Sequence, residues 1–289
     1  QTGQQVAILI DEYDSPLQHS WKTPHHEACT SIYREVFAIL KANDKYEKFV
    51  FITGITKFTQ ISLFSVLNTL SNISFYNCYA TICGLTKEEI LENLKDEIQA
   101  LAAQKKWDID QTMHELKDMY DGYHFSESLQ GVYNPFSVIS ALKERRLRPY
   151  WIASGATEML PKILTNFEKD VETLDGSLID MDYIETADIS KDNPKLFLYQ
   201  SGYLTIKGVI GETYRLGFPN REVKKALLEL VVPNMLNTDK EETENAIQDL
   251  KQHFILGNLE EGVTCLKQLI ASTPYSTQKK EQFVFEEHF

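Results

Sequence analysis

Residues Val6-Ala7-Ile8-Leu9-Ile10-Asp11-Glu12-Tyr13-Asp14 form a short apolar, β-branched run that stops at two adjacent carboxylates. Five apolar residues without alternation read as a central parallel strand covered on both faces. Ligands of open α/β sheets bind just beyond the carboxyl ends of the strands, so Asp11 and Glu12 stand where chemistry is usually done. An idle strand with an acidic end fits these nine residues about equally well, so the choice falls to the residues downstream.

Ile32, Val36, Ile39 and Leu40 recur at helical spacing, and Phe49-Val50-Phe51-Ile52-Thr53-Gly54 is a second apolar run ending in Thr-Gly. Strand, helix, strand implies a βαβ crossover, which sets Thr53 at the same carboxyl edge as Asp11. That edge reads as a Walker B strand end. There the first acid, Asp11, holds Mg²⁺ through water, and the second, Glu12, orients or deprotonates the water attacking a γ-phosphate. Thr53 then takes the place of sensor 1, a polar residue bonded to the γ-phosphate or that water, and Lys57 follows as a cofactor-binding lysine. The plain alternatives are a strand terminus for Thr53 and a solvated loop lysine for Lys57.

The 289 residues suffice for two ordinary domains. Hydrophobic content of 43%, charged content of 25% and no long uncharged apolar run exclude a membrane span and point to a soluble, cytoplasmic protein. A formal net charge of −13 argues against broad adhesion to nucleic acid. Cys29, Cys78, Cys83 and Cys265 include no CxxC pair, so neither a zinc site nor a disulfide framework is expected. The start at Gln1, a few residues before a core strand, reads as a piece of something longer.

Between the acidic turn and the first helix, Ser15 to Glu27 is a polar stretch carrying His19, His25 and His26, read as a solvated loop rather than a metal site. Ser74 to Tyr79 suggests a third strand. Thr86 to Glu89 is a capping box opening a helix with Ile90, Leu94, Ile98 and Leu101 on its buried stripe. Met113, Leu116 and Met119 mark another helix, and Asn134-Pro135 supplies an N-cap for one running through Phe136, Ile139 and Leu142. Arg145-Arg146-Leu147-Arg148 closes that helix with charge suited to its C-terminal end. Tyr203 to Ile206 and Tyr214 to Phe218 flank a Gly-containing connection, a β-hairpin of the kind a winged helix carries. Leu227, Leu230 and Val231, then Leu259, Val263, Leu266 and Ile270, mark two later helices.

No GxxxxGK[ST] phosphate loop is present in these residues. Six stretches nevertheless resemble, in order, the bacterial AAA-ATPase-like proteins that usually carry a C-terminal PD-(D/E)XK nuclease-like domain. They are ILIDEYDSPL (8–17), FITGITKFTQISLFSVLNTLSNIS (51–74), YDGYHF (120–125), VYNPFSV (132–138), YQSGYLTIK (199–207) and YRLGFPNREV (214–223). The resemblance implies Asp11 as the Mg²⁺ ligand, Glu12 as the catalytic carboxylate and Thr53 as sensor 1. It assigns no chemistry to the aromatic motifs. The expected fold is α/β, a partial P-loop NTPase parallel sheet followed by a mostly helical region with a winged-helix-like hairpin. The expected divisions are 1–85, 86–150, 151–225 and 226–289. The family's phosphate loop would precede Gln1 and its nuclease domain would begin near Phe283, so a fragment unable to hydrolyse ATP alone is expected. In the whole protein, ATP and Mg²⁺ would switch a tethered nuclease-like or partner domain. The competing reading is a protein-interaction or DNA-binding module with a vestigial nucleotide site. A two-metal nuclease centre built from Asp11, Glu12 and Asp14 carries little weight without a partnering lysine.

Overall fold

Strand β1 (Val6–Ile10) and strand β2 (Glu47–Ile52) pair in parallel, Ala7 opposite Phe49 and Ile10 opposite Ile52, which makes the βαβ unit expected from the two apolar runs. The computed structural model describes residues 4–21, 23–55, 70–151, 171–186, 194–236 and 240–271. The crossover consists of α1 (Ser15–Ser20) and α2 (His26–Ala42), so the polar stretch after the acidic turn is helical at both ends rather than a loop. Tyr13, Leu17 and Phe37 are buried against Ile10, Tyr33, Leu40 and Ile52, forming a small core under one face of the strand pair. Side chains alternate across a strand, so Leu9 turns to the other face, where it is 72% exposed beside the 55% exposed Phe49. Coverage of β1 on both faces is therefore not found among the described residues: the one crossover shields one side only. The same geometry corrects the reading of α2. Its inward side is Cys29, Tyr33, Phe37 and Leu40, whereas Ile32, Val36 and Ile39 face solvent.

Residues 74–79 form turns and a 3₁₀ segment, not a third strand. Phe75 acts as an anchor, stacking on both Tyr199 and Tyr214 at 6.2 Å, while Tyr76 and Tyr79 stack on each other. The capping box is present, with Thr86 Oγ1 accepting from the Glu89 N–H and Glu89 Oε2 from the Thr86 N–H. It opens α3 (Lys87–Asn93), but the expected single helix breaks at Leu94, which leaves the helical region at ψ 28°, and resumes as α4 (Lys95–Lys105). Next come α5 (Ile109–Tyr120), capped by Asp108, and α6 (Pro135–Glu144), capped by Asn134. These four helices share one core, centred on Ile90, Ile98, Leu101, Leu116, Tyr120 and Tyr133. In α6 the buried side is Val138, Ala141 and Leu142, while Phe136 and Ile139 are about half exposed, so the apolar positions surround the helix more broadly than the spacing implied.

After a short α7 (Val171–Leu174) come β3 (Leu178–Asp180), α8 (Met181–Thr186) and α9 (Pro194–Gln200), then the hairpin β4 (Thr205–Ile210) and β5 (Thr213–Gly217). The sheet order is β3-β5-β4, all antiparallel, so the hairpin carries a third strand that sequence did not disclose. Gly211, at φ +59°, is the first of two turn residues, the position where a tight hairpin needs a left-handed conformation. α10 (Arg221–Leu236) follows, then α11 (Lys240–Ile255) and α12 (Leu259–Ala271). The chain divides into two compact units, Gln1–Ala226 and Leu227–Phe289. In the second, α11 and α12 pack together, but Leu259, Val263 and Leu266 remain 62%, 42% and 40% exposed, so their clean spacing does not mark the side facing α11. Among the described residues no helix is long and apolar enough to cross a membrane.

Candidate functional site

The ladder between β1 and β2 continues one step past the strand ends. The Thr53 N–H donates to Ile10 O at 2.8 Å and the Tyr13 N–H donates to Thr53 O at 3.0 Å. Asp11 and Thr53 are thereby held side by side, and the Thr53 hydroxyl donates to Asp11 Oδ1. The same oxygen accepts the Glu12 N–H at 2.9 Å. Both Asp11 and Glu12 are exposed. Glu12 adopts φ +50°, a left-handed backbone uncommon outside glycine, and this bend turns the chain from β1 into α1. Two of the four expected site residues are thus joined by a side-chain hydrogen bond, and Glu12 adjoins them; Lys57 lies outside the described residues.

The residue that sequence undervalued is Asp14. It is 1% exposed, and its carboxylate accepts the Ile55 N–H at 3.2 Å and the Gln18 side-chain amide at 2.6 Å. It occupies the N-cap position of α1 without capping it, and instead ties the exit of β2 to the first helix. Gly54 permits this. A Cβ there would lie 2.5 Å from Asp14 Oδ1 and from the Tyr13 ring. The available signal was the pairing of an acid before Ser-Pro with a glycine after the second strand, but neither pattern names the other as its partner.

Asp11 offers a hard oxygen at a solvent-open edge, and its Oδ2 has no hydrogen-bond donor among the described residues. Mg²⁺ usually keeps several waters and takes only one or two carboxylates, so this donor set suits Mg²⁺. A protein cage is another matter: no group of three or more His, Cys, Asp and Glu placed to hold a metal occurs among the described residues. The histidines near α1 serve local structure, His19 Nδ1 meeting Ser15 O at 2.7 Å and His26 Nδ1 meeting Ser20 Oγ at 3.1 Å.

The four later aromatic motifs converge elsewhere in the same unit, and what they build is packing. His124 donates its N–H to Thr205 Oγ1 at 2.7 Å and its ring Nδ1 proton to Ile206 O at 2.8 Å. Burial, aided by nearby Lys207, holds the His124 pKa below its ordinary value. Lys207 donates to Pro219 O at 3.0 Å, and Asn220 donates to Asp121 O at 3.0 Å. Glu222, in the first turn of α10, is fully buried, and one of its oxygens accepts the Tyr150 and Trp151 N–H groups and the Ser137 hydroxyl. Arg221 is tied to Glu115 at 3.2 Å and Asp118 at 3.1 Å, and Arg148 to Glu144 at 2.7 Å.

Comparison with known proteins bears on the strand-end site. Residues 1–64 match the model of a family described as "AAA-ATPase_like: Predicted AAA-ATPase". A protein of Azotobacter chroococcum mcd 1, described as "Uncharacterized protein in vnfD 5'region", is 31% identical over 237 residues, which is 80% of this chain. The chain spans 43% of that relative's length. No solved structure matches. Because the match over residues 1–64 covers Asp11, Glu12 and Thr53, it supports an AAA-ATPase-like family for this chain.

Proposed function

We propose that the strand-end site belongs to a Mg²⁺-dependent ATPase in the whole protein, whose nucleotide state switches a tethered nuclease-like or partner domain. The observation that carries this reading is the Thr53 hydroxyl donating to Asp11 Oδ1 across two parallel strand ends, within the stretch that matches an AAA-ATPase-like model. In this reading Asp11 would hold Mg²⁺ with the oxygen that Thr53 and Glu12 leave open. Bound Mg²⁺ would neutralise charge developing on the β- and γ-phosphates. Glu12, pushed outward by its left-handed turn, orients the attacking water and takes its proton. Thr53 holds Asp11 in line and supplies a hydroxyl at the γ-phosphate position, and Lys57 contributes charge to the phosphates.

The test is ATP turnover and Mg-nucleotide binding by the full-length protein and its variants. Glu12→Gln is expected to keep binding and lose roughly 10²-fold or more in turnover, the usual contribution of a positioned general base. Asp11→Asn is expected to lose Mg²⁺-dependent binding. Unchanged turnover in both variants refutes the assignment.

A further inference from the structure

The polar-apolar pattern of α12 (Leu259–Ala271) is more regular than its burial explains. Gly262 lies under the Phe254 ring, and Cys265 Sγ contacts Ala246 O at 3.8 Å, so positions 262 and 265 face α11. At 3.6 residues per turn, Leu259, Val263 and Leu266 fall roughly a quarter turn away from that side, and all three are exposed. At the hairpin tip the patch continues into Ile255 and Leu256, which are 84% and 63% exposed. Large exposed apolar patches rimmed by charge mark interaction sites.

We propose that this face docks on the same face of a second copy of the chain, with the two α12 helices antiparallel about a two-fold axis near Val263. The spacing assigns Leu259 and Leu266 to d positions and Val263 and Ile270 to a positions of a heptad. The flanking e positions are then Glu260 and Lys267, and the g positions are Gly262 and Leu269, which carry no charge. Parallel helices pair e with g and so leave both charges without a partner. Antiparallel helices bring e against e, which places Glu260 of each copy opposite Lys267 of the other. That complementarity selects both the occupant and the direction. An isologous contact of this kind closes on itself and limits assembly to a dimer.

Sedimentation equilibrium of the chain over a concentration series tests the proposal, with circular dichroism confirming helix content in each variant. The expected result is a dimer dissociating on the order of micromolar, given two short helices. Val263→Glu sets two carboxylates together at the axis and should weaken association roughly a hundredfold or more. Lys267→Glu alone, or Glu260→Lys alone, should weaken it severalfold, and the double swap should restore it. A monomer at all concentrations overturns the proposal, as does a dimer indifferent to Val263→Glu or a charge swap that fails to rescue.

Discussion

Removing the Glu222 side chain is expected to be strongly destabilising for the first unit. Its carboxylate is 0% exposed and one oxygen serves three donors: the Tyr150 N–H, the Trp151 N–H at 2.8 Å and the Ser137 hydroxyl at 3.1 Å. Glu222→Ala removes the acceptor that all three share. A buried donor left without a partner costs about 1–3 kcal/mol, and relaxation recovers part of the sum, so a loss of about 3–5 kcal/mol is expected in denaturant unfolding. Glu222→Gln keeps an acceptor and separates geometry from charge. Burial raises the Glu222 pKa above the ordinary carboxylate value, outweighing the hydrogen bonds that lower it. The folded chain therefore holds this proton more tightly than the unfolded chain. Stability from that proton is complete below the ordinary carboxylate range and is lost as pH rises through the raised folded value. The stability difference, Glu222→Gln minus wild type, should accordingly grow in favour of Gln across that window and level off above it. A loss under about 1 kcal/mol for the Ala variant, or a pH-independent Gln difference, refutes the reasoning.

Two further outcomes concern the strand-end site. Gly54→Ala should cost about 1–3 kcal/mol in thermal or denaturant unfolding, because the new methyl would lie 2.5 Å from Asp14 Oδ1 and the Tyr13 ring. Glu12→Gly should raise stability by up to about 1 kcal/mol by relieving the φ +50° turn while abolishing turnover; a destabilised variant would show that the turn carries no strain.

What sequence revealed of this chain followed from how local the physics was. The capping box at Thr86 and the N-cap at Asn134 depend on residues within a few positions and took their expected form, and the two apolar runs formed the expected pair of parallel strands, though without cover on both faces. Faces fared worse. The apolar stripe of α2 reads as Ile32, Val36, Ile39 and Leu40, yet Tyr33 and Phe37 offer a competing inward side, and only packing under β1 and β2 chooses between them. Ser74 to Tyr79 has a strand's composition, but its Phe75 is spent on Tyr199 and Tyr214, more than a hundred residues on. Strand β3 is three residues long and pairs with β5 over a separation that no periodicity encodes.

The site itself shows the same division inside four residues. Asp11, Glu12 and Asp14 are chemically near-equivalent on paper, and burial sorts them. A carboxylate taken out of water has to be compensated by hydrogen bonds, and Asp14, at 1% exposure, is answered by Ile55 and Gln18. Its oxygens are thereby committed to holding the β2 exit against α1, which removes it from any two-metal arrangement. Asp11 and Glu12 stay in water, where an uncommitted oxygen costs nothing, and only one oxygen of Asp11 is fixed. The buried acid thus sets the backbone course on which the exposed pair depends.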